Sequence, residues 1–216
     1  MSSVNIPPQK VTAKWLKMLD FYFDTETQLL ELSKIIPLEN TGKVFSPRLY
    51  NILQSACGQI ENLMKLLCDY YKLDYGNEPN YPKLFDLLDK EKVISFQRIS
   101  YYESPNWLEP FSLYGEEKSP SWWKEYNKTK HNLPEGLEYG NLRNVLSSMA
   151  GLYALHCIVF CSLVPNVNVL KKEYWMNVSS KKWDMYGKAV THKEDKRPKS
   201  EIFQMDSYFS YTVPTL

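Results

Sequence analysis

Lys124, Asn127, Lys128, Lys130 and His131 lie within one helix-length run, Ser121-Trp122-Trp123-Lys124-Glu125-Tyr126-Asn127-Lys128-Thr129-Lys130-His131-Asn132. At about 3.6 residues per turn, Asn127 and His131 are an i, i+4 pair, with Lys124 one turn before Asn127 and Lys128 beside it. One face therefore presents amide, imidazole and ammonium groups together, a combination able to hold a phosphate. The imidazole of His131 titrates near neutrality and suits a general acid or base. Trp122, Trp123 and Tyr126 fall mainly on the opposite side, where aromatic rings anchor a helix to a core. The plain alternative is a surface helix with a solvated basic face.

The elements that must position this run are helical. Val11 to Ile36 repeats apolar residues at Trp15, Leu16, Leu19, Phe23, Leu29, Leu30, Leu32 and Ile36, then meets Pro37, which predicts a first helix. Ser46-Pro47 reads as an N-cap with proline at the first helical position. Leu49, Ile52, Leu53, Ala56, Ile60, Leu63, Met64 and Leu67 then carry the period of a second helix to Tyr71. A turn cluster, Gly76 to Asn80, leads into a short helix over Tyr81 to Lys90. Val93 to Tyr102 has strand-forming side chains without helical spacing and predicts a small extended piece. Ser104 to Pro120 reads as a long loop. Asn132 to Gly140 ends the Trp-Trp helix and turns back, and an apolar helix over about 141–164 closes the bundle at Pro165.

Within that last helix, Met149 to Val164 is interrupted only by Gly151, His156 and Ser162, and its 16 residues fall short of the roughly 20 of a bilayer span. A central helix buried all round is expected, packed against 47–71, with His156 a satisfied buried histidine or facing a dimer seam. The tail, 166–216, has charged blocks and no long periodic run; it is expected to be irregular, wrapped on the bundle or in part disordered.

With 216 residues, 44% of them hydrophobic and 24% charged, the chain can bury a sizeable core, so one soluble globular domain with extensions is expected. Its net charge of +1 means that affinity for nucleic acid or another anion must come from a local patch. Sixteen tyrosines and six tryptophans suit a core, a dimer interface or a base-stacking platform alike. Cys57, Cys68, Cys157 and Cys161 sit in apolar helical patterns with no CxxC pair and no partner pair at zinc-ligand spacing, so buried thiols are expected and no metal or cofactor. The N-terminal stretch has no apolar core of a signal peptide, so the expected location is cytoplasmic, without a membrane partner. No phosphate-binding loop, GxGxxG, HExxH or GxSxG occurs.

The order of two long helices, an insert, a Lys/Asn/His helix and an apolar helix resembles the HEPN superfamily, small helical bundles that include RNases of toxin-antitoxin, phage-defence and CRISPR systems. The family signature is an arginine, about four to six residues, then a histidine, often with asparagine after the arginine. Tyr126-Asn127-Lys128-Thr129-Lys130-His131 matches the asparagine and the histidine with a four-residue gap, Tyr126 stands in the arginine position, and a six-residue gap gives Lys124 instead. The resemblance spans about residues 11–165 and rests on this short motif.

The fold it implies is mainly α: a HEPN-like bundle of four or more helices over 1–165, with a small extended insert and an irregular C-terminal extension over 166–216. It implies a homodimer in which two motifs face each other, an RNA or nucleotide ligand, and an antitoxin or defence partner protein. The activity it implies is metal-independent endoribonuclease chemistry in stress response or phage defence, with His131 and Asn127 catalytic. Lys124, Tyr126, Lys128 and Lys130 would then bind substrate. Lysine replaces arginine only as a point charge, so the binding role carries over more directly than the cleavage role. The alternative is a non-catalytic helical interaction protein of the same fold, its motif a structural hydrogen-bond network. An unrelated enzyme built on His131 or His156 has no second catalytic group placed by sequence.

Overall fold

Helix α2 (Pro47–Tyr71) shows how local sequence sets an element boundary. Ser46 is extended, at φ −161° and ψ 162°, and its Oγ accepts the Leu49 N–H at 3.2 Å, with Pro47 following. At the other end Lys72 turns left-handed, at φ 58°, and the Leu73 N–H reaches back to the Cys68 carbonyl at 2.9 Å. Both ends match the bounds expected from sequence.

In a computed structural model, residues 8–38, 44–89, 94–95, 97–101, 107–113, 118–131, 133–163, 175–178, 181–183, 189–191, 195–198 and 200–205 are described. Side chains are not described at 8–9, 131, 133–134, 161–163, 175–198 and 205. Chain order runs α1 (Pro8–Ser33), α2, α3 (Tyr81–Leu88), β1 (Ile99–Tyr101), β2 (Trp107–Leu108), α4 (Ser121–His131) and α5 (Leu133–Gly136). A 3-10 turn over Leu137–Tyr139 and α6 (Leu142–Leu163) follow, then β3 (Trp175–Val178), β4 (Lys181–Trp183), β5 (Ala189–Thr191), β6 (Asp195–Pro198) and β7 (Phe203–Met205). The chain is mainly α, as expected.

The core is a three-helix centre in which α6 packs most extensively on α2, with α1 across both. Leu49, Ile52, Leu53, Ala56, Ile60, Leu63 and Met64 of α2 are buried against Leu142, Val145, Leu146, Met149, Leu152 and Tyr153 of α6. Every residue from Leu152 to Phe160 is buried. The stretch Leu142–Phe160, 19 residues, is long and apolar enough by composition to cross a membrane, because the flanking turn adds to the apolar run, and 89% of it is buried inside the fold.

His156, at the centre of α6, is fully buried, and its Nδ1 accepts the Trp15 indole N–H at 3.1 Å. Nε2 has no partner among the described residues, so the expectation of a satisfied histidine holds for one nitrogen only. Burial lowers its pKa to about 3, since nothing compensates the desolvated imidazolium. It faces Trp15 and Tyr22 inside the core and is a neutral structural group.

The tail differs from the irregular structure expected of it. β3 pairs antiparallel with β6, and β4 with β5 nested inside that pair. β7 crosses to the extended insert and pairs with β1, giving the sheet order β2-β1-β7, with Tyr101 opposite Phe203. Short strands of three or four residues leave little periodicity to read, which is why they escaped notice.

The tail is fastened at Glu26 of α1, which is buried. Its carboxylate accepts the Tyr22 hydroxyl at 2.6 Å, the Ser200 hydroxyl and the Glu201 N–H at 3.3 Å. Burial raises the Glu26 pKa even though these hydrogen bonds pull it down.

Candidate functional site

Helix α4 carries the Lys/Asn/His run, and its buried face is fixed by rings and one buried hydroxyl. Trp122 donates its indole N–H to the Pro110 carbonyl, and Trp123 stacks on Tyr81 with ring centroids 4.3 Å apart. Tyr126 packs on Trp123 at 5.0 Å, and burial pushes its phenol up to about 12. The Thr129 side chain is fully buried and its Oγ1 accepts from Gln54 Nε2 at 2.6 Å while donating to the Tyr126 carbonyl. Tyr50 Oη closes the joint by donating to the Thr129 carbonyl at 3.3 Å.

The chain leaves α4 through two close approaches. A Cβ on Gly136 would stand 2.9 Å from the Thr129 Cα, and one on Gly140 would stand 2.6 Å from the Tyr50 Cα. Both neighbours are backbone, so glycine is what lets the exit from α4 lie against α4 itself and against α2. The last turn of α4 is thereby held on the core by polar and steric contacts together.

The outer face of α4 presents what the core does not take. Asn127, Lys128 and Lys130 are exposed and Lys124 is half-buried. Lys128 Nζ lies 2.9 Å from Glu125 Oε1 and 4.9 Å from the centre of the Tyr139 ring, and the hydrogen bond to Glu125 raises its pKa. Lys130 Nζ lies 5.9 Å from the centre of the Tyr126 ring. His131 is the last residue of α4, one turn beyond Asn127, and its side chain and Asn132 lie outside the described residues. The expected i, i+4 pairing of the His131 and Asn127 side chains falls there too.

The arrangement separates the motif into two sets. Asn127, Lys128 and Lys130 are exposed, with Lys128 turned toward Glu125 and the Tyr139 ring and Lys130 toward the Tyr126 ring. Tyr126, in the arginine position of the motif, points its ring into the aromatic cluster with Trp123, so its part here is anchoring. Sequence reasoning missed Glu125, which offsets the charge of Lys128; the i, i+3 spacing was its available signal. It also missed Thr129, whose single hydroxyl on a polar helix carried no signal.

No other cluster competes for metal chemistry: among the described residues no group of three or more His, Cys, Asp and Glu side chains is placed to hold an ion. Cys57 and Cys68 are buried free thiols and Cys157 is buried as well, with burial pushing Cys68 up to about 12. The Cys161 side chain lies outside the described residues. The chain matches no family model, no curated protein and no solved structure.

Proposed function

We propose that this chain is a HEPN-like protein that binds RNA or a nucleotide through the outer face of α4. The observation that carries the reading is the division of that helix. Its aromatic side chains are all spent on the core, while Asn127, Lys128 and Lys130 stay in water. Exposed lysines attract phosphate at long range and keep their hydration until contact. Binding is the main activity in this reading, because the motif position that would steady a scissile phosphate is the buried Tyr126.

Cleavage, where it occurs, would use His131 as general acid or base in a homodimer that brings two motifs together, in the cytoplasm and in a stress or phage-defence setting. His131→Ala is the test. Equilibrium binding and cleavage of a short single-stranded RNA should weaken or vanish in this variant with the melting temperature nearly unchanged. A large loss of stability, with RNA unbound by either form, would overturn the proposal. Sedimentation at micromolar concentration supplies a second check: a monomer cannot assemble a two-motif site.

A second reading is favoured by one specific observation. Lys128 is held by Glu125 and by the Tyr139 ring, which offsets part of the positive face within the chain itself. A non-catalytic interaction protein, with an antitoxin or other defence protein as partner, uses such a mixed-charge surface equally well.

A further inference from the structure

At the opposite end of α4 from the Lys/Asn/His rim, a cleft of about 330 Å³ opens between β2, the start of α4 and the first turns of α6. Its walls include the half-exposed indole of Trp107, the hydroxyl-bearing side chains of Ser121 and Ser147, the edge of Trp122 and two charged groups, Glu109 and Arg143. The two charges are not equivalent. Glu109 accepts from Arg98 Nε at 2.9 Å, so its charge is matched. Arg143 is exposed and has no ion pair among the described residues, which leaves one unmatched guanidinium facing the cleft.

We propose that this cleft is a binding site for a nucleoside monophosphate unit, with the base laid on Trp107 and the phosphate held by Arg143. Each half of that ligand has a counterpart in the walls. An indole that stays half in water offers a π-face to any base, with little dependence on its identity. A guanidinium holds two phosphate oxygens at once through its planar fork, and the flanking serine hydroxyls supply further donors. The volume is of the order of small-ligand pockets, roughly 300 Å³ at the lower end, which a mononucleotide fills and a larger dinucleotide does not. The fold itself holds the walls: Trp122 is fixed to the Pro110 carbonyl, and Leu146 behind Arg143 is fully buried. The site stands apart from the α4 rim and does not depend on the function proposed for that rim.

Calorimetric titration of the full chain with adenosine 5′-monophosphate tests it, alongside adenosine and inorganic phosphate as half-ligands. Saturable binding of the monophosphate is expected at or below roughly millimolar concentration, with both half-ligands weaker by roughly tenfold or more. Arg143→Ala should lose roughly tenfold or more in affinity, Arg143→Lys should recover part of it, and Trp107→Ala should weaken the nucleotide and adenosine alike. Competition by a 5′-phosphorylated oligoribonucleotide would give an RNA end as the source of the unit, and its failure to compete the free nucleotide. No saturable heat with the monophosphate, or equal affinity in Arg143→Ala with its melting temperature preserved, would overturn the proposal.

Discussion

Helices α6 and α4 both pack on α2, and each carries a histidine of the sequence, yet they treat their polar groups in opposite ways. α6 seals His156 against Trp15 and Tyr22, where burial lowers its pKa to about 3 and Nε2 has no partner among the described residues. α4 sends its rings inward and keeps Asn127, Lys128 and Lys130 in water, and Lys128 stays charged with Glu125 beside it. His156 inside the core is thus held in its neutral form, whereas Lys128 at the surface of α4 keeps its charge beside Glu125. Residue type is a poor guide to chemistry until burial is known.

The sharpest way to break the comparison is by pH. Since the folded pKa of His156 lies below the unfolded value of about 6.5, its contribution to stability is complete above pH 6.5 and is lost as pH falls towards 3. A shift of that size corresponds to roughly 4–5 kcal/mol at the acid end. Glu26 acts in the other direction: its folded pKa is raised, so its contribution is full below the unfolded value of 4.5 and declines as pH rises through the folded one. Denaturant unfolding across this range should show a steep acid limb that His156→Leu flattens. An unchanged limb in that variant would mean that other groups carry it.

Smaller effects test how firmly α4 is tied to the core. Gly140→Ala places a methyl group against the Tyr50 backbone and should cost about 1–3 kcal/mol, read as a lower denaturant midpoint. Ser46→Ala removes the cap of α2 and should cost about 1 kcal/mol in the same measurement, because Leu49 N–H loses its acceptor. Lys128→Ala should fall within about 0.5 kcal/mol of the parent, since its pair with Glu125 is a surface contact. If the last exceeded the first, α4 would be holding the fold through its rim and the contrast with α6 would fail.

What could be read in the sequence was local. The bounds of α2 follow from Ser46-Pro47 and the period of its apolar residues, and the split of α4 into Trp122, Trp123 and Tyr126 against Asn127 and Lys128 follows from the helical period alone. What escaped was non-local. His156 finds Trp15 across 141 residues, and Ser100 faces Gln204 across 104, separations that no window along the chain samples. Glu26 sits in an amphipathic helix where a carboxylate reads as solvated, and only the returning tail makes it a buried anchor for Ser200 and Glu201. The strands of the tail gain their meaning from one another, in ladders too short to announce themselves.

The central claim, that the outer rim of α4 meets phosphate, is tested most directly by the salt dependence of binding. A short single-stranded RNA should bind the parent chain with an affinity that falls as salt rises, by about 0.7 in the logarithmic slope for each phosphate neutralised. The double variant Lys128→Glu, Lys130→Glu should bind roughly tenfold or more weakly, with a shallower slope and an unchanged melting temperature. Equal affinity and equal slope in the two proteins, or no binding by the parent at low salt, would contradict the account.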